Sequence, residues 1–153
     1  MKRILFVCTG NTCRSPMAEA LFRAKANGQE WEVRSAGVAA FDGQSASAHA
    51  IEVLRERGID TEHKSSSLSE ELVDWADLIL TMTESHKRAV LSIFPAAQSK
   101  VHTLREFVGV EGITDIADPF GGDLEVYRRC AQEIEESLDM LIDRLSREEC
   151  RDS

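Results

Sequence analysis

Runs of consecutive apolar residues alternate with amphipathic stretches along the chain, and this pattern predicts a parallel sheet covered by helices. The run at residues 4–7 is uninterrupted, as expected for a central strand that is buried on both faces. The other predicted strands lie at residues 31–35, 78–82 and 101–104. Helices are predicted after residue 15, at residues 46–57, 69–75 and 84–94, and from residue 123 onward.

The last predicted helix carries apolar residues at alternating steps of three and four from Leu124 to Leu145. Such spacing gives a long helix one apolar face. We expect this face to pack across the sheet, with a coiled-coil partner as the alternative. The chain contains no recognisable linker or internal repeat, so residues 1–153 are expected to form a single domain with a polar tail from about residue 147.

The chain is acidic, since 27 Asp and Glu residues against 18 Lys and Arg give a net charge of −9. A negative field repels phosphate backbones and anionic lipids, which argues against nucleic acid or a membrane as the main partner. No apolar run approaches the ~20 residues that span a bilayer, and the N-terminal one is too short for a signal peptide. We therefore expect a cytoplasmic protein that binds any phosphorylated partner through local groups.

The cysteines are Cys8, Cys13, Cys130 and Cys150. An even number permits disulfides, but a domain of this size without a secretory signal does not need them. No second Cys or His pair stands at a spacing that would complete a zinc site with the first two cysteines. We therefore expect free thiols.

The segment Cys-Thr-Gly-Asn-Thr-Cys-Arg-Ser at residues 8–15 falls between the first strand and the first helix. In an α/β sheet this is where anions bind, beyond the carboxyl end of a strand and at a helix N-terminus. A turn from Cys8 to Arg14 can direct successive backbone N–H groups inward, with Gly10 relaxing the backbone restrictions on such a curl. A tetrahedral dianion would fit this nest, and the Arg14 guanidinium could bind two of its oxygens.

The same field acts on the sulfur of Cys8, because inward N–H groups, a positive helix end and Arg14 all favour the thiolate over the thiol. A thiolate beneath a bound phosphoryl group is a nucleophile, and a phosphocysteine intermediate follows. We expect Ser15 to cap the helix, with Pro16 in its first turn, and to hydrogen-bond the sulfur so that it leaves more easily in a second step. The alternative is that Cys8 is a small buried hydrophobe at a strand end.

Residues 7–19, which read Val-Cys-Thr-Gly-Asn-Thr-Cys-Arg-Ser-Pro-Met-Ala-Glu, resemble the signature of the low-molecular-weight protein tyrosine phosphatase family. The resemblance extends through residues 34–37, 76–82 and 118–120, and so over almost the whole chain. It implies a three-layer α/β sandwich in which a four-stranded parallel sheet, in the flavodoxin-like order 2-1-3-4, is flanked by helices. It also implies a monomeric cysteine phosphatase without metal or organic cofactor, with phosphorylated proteins as substrates and inorganic phosphate as product.

A phosphatase that expels a poor leaving group needs a proton donor opposite its nucleophile. Taken alone, Asp118-Pro119-Phe120 is an ordinary turn before the last helix, but the family's general acid is the Asp of an Asp-Pro-aromatic motif near the C-terminus. The resemblance therefore implies this role for Asp118, with Phe120 as an apolar wall where tyrosine is frequent in the family. The other substrate-binding residues that it implies are Thr9, Gly10, Asn11, Thr12, Cys13 and Ser15.

Thr12 is the informative departure from the family pattern. Tyrosine-specific members usually carry a bulkier aliphatic residue there, which helps to grip a phenyl ring. The subgroup with Thr at this place and Asp-Pro-Phe-Gly-Gly later resembles the bacterial protein arginine phosphatases. A P–N bond breaks readily once its nitrogen is protonated, and Asp118 could deliver that proton. We expect hydrolysis of phosphoarginine in proteins, with phosphotyrosine as the alternative substrate.

Two other functions fit the sequence less well. Arsenate reduction needs further cysteines on a mobile segment, but residues 82–89 contain none, and Cys130 and Cys150 lie near the end of the chain. A phosphate-binding redox sensor could trap an oxidised Cys8 as a disulfide with Cys13. We expect such a disulfide only as regulation or protection of an enzyme, and simple loop packing is the alternative interpretation of Cys13.

Residues 38–44 are predicted to form a loop beside the site, where Phe41 would provide another pocket wall. The histidines show no metal-binding spacing, and none is adjacent in sequence to the 8–15 loop. They are interpreted as surface or satisfied structural residues, and they are His49, His63, His86 and His102.

Overall fold

The computed structural model describes residues 2–26, 31–112 and 114–152, with side chains of the last helix through residue 148. Four parallel strands form one sheet in the order β2-β1-β3-β4, which confirms the predicted topology. The strands are β1 (Lys2–Cys8), β2 (Trp31–Gly37), β3 (Leu78–Thr81) and β4 (Val101–Thr103). The helices are α1 (Arg14–Lys25), α2 (Ala48–Glu56), α3 (Glu70–Trp75), α4 (Glu84–Ile93), α5 (Leu104–Phe107) and α6 (Leu124–Asp152), with a 3₁₀ helix at Pro95–Lys100.

The strand register brings three strand ends together at one edge of the sheet. Cys8, the last residue of β1, is paired with Gly37, the last residue of β2. On the other side of β1, Val7 is paired with Thr81, the last residue of β3. The 8–15 loop therefore leaves the sheet where the carboxyl ends of these strands meet, which is the anion-binding edge of an open α/β sheet.

The side chains of β1 point alternately into two apolar cores, one on each face of the sheet. Ile4, Phe6 and Cys8 belong to the larger core, which the sheet forms with α1, α2 and α6. Leu5 and Val7 belong to the smaller core on the opposite face. Because all five side chains are buried, β1 has no polar face, and this explains the uninterrupted apolar run in its sequence.

The apolar face of α6 is expected to pack across the sheet, and it lies in the core on one face of the sheet, where it packs mainly against α1 and α2 with its residues almost fully buried. They are Tyr127, Ala131, Ile134, Leu138, Leu141 and Leu145. The expected polar tail from about residue 147 is instead the last turn of this helix. Within the described parts of the chain, no helix combines the length and the apolar content that crossing a membrane requires.

Two features of the helix ends differ from the sequence-based expectation. Ser15 does not cap α1, because the helix begins two residues earlier than predicted and its N-cap is Cys13, which makes no side-chain capping bond. The short helix α5 was not predicted, although Thr103 and Glu106 form a complete capping box at its start. A single turn is too short to show a hydrophobic period, so the capping pattern was the available signal.

Candidate active site

The 8–15 loop encloses a cavity of about 240 Å³ at the carboxyl edge of the sheet. It is lined by Cys8, Thr9, Gly10, Thr12, Cys13, Arg14, Asp118 and Phe120. The two other residues assigned to the site from sequence, Asn11 and Ser15, are fully buried and support the loop from within the protein. The cavity thus brings together residues that are about a hundred positions apart in the chain.

The sulfur of Cys8 lies 2.9 Å from the hydroxyl oxygen of Ser15. That oxygen accepts a hydrogen bond of 2.8 Å from the side-chain amide of Asn11. Because the Asn11 N–H already occupies one lone pair of the oxygen, the hydroxyl hydrogen of Ser15 is free to point at the sulfur. A thiolate sulfur can only accept, so with Cys8 ionised Ser15 donates to it and stabilises the negative charge.

Asn11 adopts the left-handed backbone conformation in the middle of the loop, with φ of 56°. The sequence predicts Gly10 as the permissive position, but Gly10 is not among the described residues with positive φ. Asparagine tolerates this conformation better than most residues with a side chain. Its side chain also donates to the hydroxyl of Ser35 at 2.9 Å and accepts from the backbone N–H of Ser66 at 2.8 Å. All hydrogen-bonding groups of the amide are thus used to hold the loop.

His63 supports the same residue from the opposite side. Its Nε2 lies 2.7 Å from the carbonyl oxygen of Asn11 and must carry a hydrogen, because a carbonyl only accepts. Its Nδ1 is 3.7 Å from the carboxylate of Glu19. The structural interpretation of His63 is therefore confirmed, but its contact with the loop was missed because 52 residues separate the two in sequence.

Arg14 is buried beneath the cavity, where it is held by a segment from the far end of the chain. Its Nη1 donates a 2.8 Å hydrogen bond to the backbone carbonyl of Ile116. Its Nη2 lies 3.8 Å from the carboxylate of Asp118. Ile116 is itself fixed to the sheet, because its N–H donates to the carbonyl of Met82 at 2.8 Å. The guanidinium therefore has a fixed position at the cavity wall.

Asp118 is the carboxylate that faces the loop, and its side chain is 54% exposed. One of its oxygens accepts the backbone N–H of Phe120 at 3.0 Å, which turns the segment towards the cavity. The ring of Phe120 lines the mouth and is itself mostly exposed. Access to solvent suits a carboxyl group that exchanges protons with substrate and water.

Cys13 is held by hydroxyl groups on two neighbouring helices. Its sulfur is 3.3 Å from the Tyr127 hydroxyl and 3.7 Å from the Ser47 hydroxyl. Burial, helped by the hydrogen bond with Cys13, raises the pKa of Tyr127 to about 12, so the phenol keeps its proton at neutral pH. Burial likewise raises the pKa of Cys130 to about 12. Cys8, Cys13 and Cys130 are free thiols, as predicted, whereas the side chain of Cys150 lies outside the described residues.

His86 lies against the loop, contrary to its interpretation as a surface or satisfied structural residue. Its Nε2 is 2.8 Å from the hydroxyl oxygen of Thr9, although 77 residues separate the two in sequence. Its Nδ1 is buried, and no group in the described parts of the chain hydrogen-bonds it. Thr83 caps α4, and its hydroxyl accepts the N–H of His86. This capping pattern was the available signal that His86 lies in the first turn of a helix, next to the carboxyl edge of the sheet.

The 38–44 loop lies beside the site, as predicted. The N–H groups of Val38 and Ala39 donate to the carbonyls of Cys8 and Thr9, each at 3.0 Å. Phe41, however, is 75% exposed and does not line the cavity, so the prediction of a second aromatic wall is wrong. In the described parts of the chain, no three His, Cys, Asp or Glu side chains are grouped so that they could hold a metal ion.

The geometry is suited to phosphoryl transfer. The amides at the N-terminus of α1 and the Arg14 guanidinium can bind the oxygens of a tetrahedral dianion. The sulfur of Cys8 sits at the base of the same cavity and can attack the phosphorus. Asp118 faces the cavity from a separate segment, where it can protonate a leaving group.

Comparison with known proteins agrees with this geometry. A family model described as "Low molecular weight phosphotyrosine protein phosphatase" matches residues 3–151. A relative named "Protein-arginine-phosphatase" from Geobacillus stearothermophilus is 52% identical over 148 residues, which cover 96% of this chain and 98% of the relative. The solved structure of the YwlE arginine phosphatase from the same species superposes with a TM-score of 0.94 at 51% identity, covering 99% of this chain and 97% of that one. A low molecular weight protein tyrosine phosphatase from T. tengcongensis superposes with a TM-score of 0.89, also at 51% identity, covering 94% and 99%.

Proposed function

The chain belongs to the low molecular weight phosphotyrosine protein phosphatase family, and from this premise we propose that it hydrolyses phosphoarginine in proteins through a phosphocysteine intermediate. The observation that carries the arginine assignment is the composition of the cavity. Thr12 and Asp118 place a hydroxyl and a carboxylate in its lining, and its aromatic residue, Phe120, is 78% exposed at the mouth. Such a cavity suits a planar guanidinium that hydrogen-bonds a carboxylate better than a phenyl ring that needs apolar contact on both faces.

In the first step, the phosphoryl oxygens bind the loop amides and Arg14, and the thiolate of Cys8 attacks phosphorus. The S–P bond forms while the P–N bond breaks. Asp118, entering the step as a carboxylic acid, gives its proton to the departing guanidine nitrogen. The electron pair of the P–N bond stays on nitrogen and takes this proton, so arginine leaves as the guanidinium cation, which is its ordinary form because its pKa lies far above neutral pH.

In the second step, water attacks the phosphorus of the phosphocysteine and the S–P bond breaks. The carboxylate of Asp118 takes a proton from the attacking water, which restores the acid for the next turnover. The hydroxyl of Ser15, 2.9 Å from the sulfur, stabilises the thiolate as it leaves. The product that remains in the cavity is inorganic phosphate.

Phosphotyrosine is the second candidate substrate. It is favoured by the tyrosine phosphatase from T. tengcongensis, which is as similar in sequence as the arginine phosphatase structure. The two proposals assign the same roles to Cys8, Arg14 and Asp118. They differ in whether the group next to Thr12 is a guanidinium or a phenyl ring.

The test compares kcat/KM on two peptides of one sequence that carry either phosphoarginine or phosphotyrosine. We expect the wild type to prefer phosphoarginine and Thr12→Ile to shift the preference towards phosphotyrosine by at least tenfold. Thr12→Val removes the hydroxyl but keeps the branched shape, so it separates polarity from size. A wild type that prefers phosphotyrosine by a large factor would refute the arginine assignment, and Cys8→Ser provides the inactive control.

We also propose a cytoplasmic location, which the free thiols support because reduced cysteines are typical of that compartment. The monomeric state and the single-domain organisation stay predictions. Size-exclusion chromatography with light scattering would check the first, and the cooperativity of urea unfolding the second.

A further inference from the structure

His86 is a buried imidazole that the proposed steps do not use. It is 6% exposed, at the N-terminal turn of α4. Its Nε2 is 2.8 Å from the hydroxyl oxygen of Thr9, the residue that follows the nucleophile and lines the cavity. Its Nδ1 is buried and has no hydrogen-bond partner among the residues that the structure describes. A buried polar atom without a partner costs free energy, so the position of this ring calls for a physical reason.

The charge state of His86 follows from its surroundings. Burial, reinforced by the charge of Arg14, lowers its pKa from 6.5 to about 4, while Asp118 and Asp115 oppose the change. The ring is therefore neutral at neutral pH and carries one hydrogen. If that hydrogen were on Nδ1, a buried N–H would have no acceptor, and orphaned buried N–H groups are rarer than under-satisfied acceptors. The hydrogen is consequently on Nε2, which donates to the oxygen of Thr9.

This donation fixes the direction of the Thr9 hydroxyl. Its oxygen accepts from His86, so its own hydrogen must point away from the ring. The backbone of Thr9 is held as well, because its carbonyl accepts the N–H of Ala39 at 3.0 Å. Because the oxygen of Thr9 already accepts a hydrogen bond from His86, the hydroxyl hydrogen is available to donate to a group bound in the cavity.

We propose that His86 is a positioning residue, which orients the hydroxyl of Thr9 to donate a hydrogen bond to a phosphoryl oxygen in the cavity. The proposal rests on the proposed phosphatase activity but not on its preference for phosphoarginine. Thr9 thereby adds a neutral donor to the amides and to Arg14. Since phosphate is both the transferred group and the product, the donor stabilises the bound state in both steps.

The first test is a double-mutant cycle on an aryl phosphate substrate. Thr9→Val removes the hydroxyl with little change of shape, and His86→Leu removes the ring donor without supplying another. We expect each single variant to lose about three- to tenfold in kcat/KM, as for one hydrogen bond, and the double variant to lose no more than either. The inhibition constant of inorganic phosphate should rise by the same factor, and Thr9→Ser should recover most of the loss.

The matched control is His102→Leu. His102 lies on β4, where its ring centroid is 5.2 Å from that of Phe107, and it does not line the cavity. We expect its kcat/KM to equal that of the wild type. Fully additive losses in the double-mutant cycle, or a Thr9→Val variant with wild-type phosphate inhibition, would overturn the proposal.

A second measurement does not depend on the variants folding. Nitrogen-15 NMR of the imidazole distinguishes the two neutral tautomers, and we expect the hydrogen of His86 on Nε2 at pH 7. A hydrogen on Nδ1 would overturn the proposal, because Thr9 would then have to donate backwards to the ring. Both tests use aryl phosphate or inorganic phosphate, so a failure of the arginine assignment appears separately, in the peptide comparison.

Discussion

Gly37, the last residue of β2, lies directly against the 8–15 loop. Its replacement by alanine tests whether the rate depends on the position of that loop. A Cβ at Gly37 would lie 2.4 Å from the carbonyl oxygen of Thr9 and 2.9 Å from the backbone nitrogen of Asn11. Carbon and carbonyl oxygen normally approach no closer than about 3.3 Å, so one of them must move by about 0.9 Å. The third close atom is the Cβ of Ala40 at 2.9 Å, and since the other two belong to the loop backbone and a Cβ is fixed by its own backbone, no side-chain rotation can relieve the overlap.

The loop, and not the strand, is expected to move. Gly37 is held on its outer side by two backbone hydrogen bonds of 2.9 Å, from its N–H to Ser66 and from Leu68 to its carbonyl. A displacement of reacting groups by about 1 Å can cost roughly 100-fold in rate. We therefore expect Gly37→Ala to lower kcat/KM on an aryl phosphate by about 100-fold, with a loss of about 1–3 kcal/mol in the free energy of unfolding.

The control is a glycine whose replacement costs stability without touching the site. Gly58 follows α2 with φ of 75°, and a Cβ there would meet nothing within 4 Å. Gly58→Ala should lose about 1 kcal/mol of unfolding free energy, because the left-handed conformation disfavours a side chain, and should keep wild-type kcat/KM. Steady-state kinetics and urea unfolding of both variants decide the matter. A folded Gly37→Ala protein with kcat/KM within twofold of the wild type would refute the steric reasoning.

Three further predictions follow from the site. Asp118→Asn should lower kcat on a phosphoarginine peptide by about 10²–10⁴-fold, and by much less on an aryl phosphate with a good leaving group; equal losses on both would contradict its role as general acid. Asn11→Ala and Asn11→Gly lose the same side-chain bonds, but alanine adds left-handed strain, so urea unfolding should find it about 1 kcal/mol less stable than glycine, and the reverse order would disprove the strain. Because the pKa of His86 is about 4 in the folded protein and near 6.5 when unfolded, the unfolded chain takes up the proton first as pH falls. Stability should therefore decline between pH 6.5 and 4, and less steeply in His86→Gln; identical slopes would exclude this linkage.

Local pattern was sufficient to predict most helices and strands, and the 8–15 loop, because each depends on residues that are close in sequence. The strand order came from the family resemblance, since periodicity does not say which strands are neighbours. The supports of the loop could not be predicted in the same way. His63 and His86 reach the loop across 52 and 77 residues, and nothing in the spacing of histidines reports such contacts.

The two local errors in the loop have a common cause. Glycine is the default residue for a strained turn, and the sequence pattern therefore points to Gly10, whereas the left-handed residue is Asn11, whose amide stabilises this conformation with three hydrogen bonds. Serine before proline is a common helix cap, but Ser15 lies inside α1 and its hydroxyl is directed to the sulfur of Cys8. In both cases a chemical requirement of the site overrides the local preference.

The hydrogen bond from Arg14 to the carbonyl of Ile116 joins the guanidinium that binds the phosphoryl group to the segment that carries Asp118. Binding of the phosphoryl group by Arg14 and delivery of the proton by Asp118 therefore depend on the same segment. Any displacement of that segment, by a substitution or by a docked protein substrate, must loosen or tighten both at once. In this enzyme the affinity for phosphate and the rate of the chemical steps therefore change together. Substitutions in this segment that adapt the enzyme to new substrates would alter both.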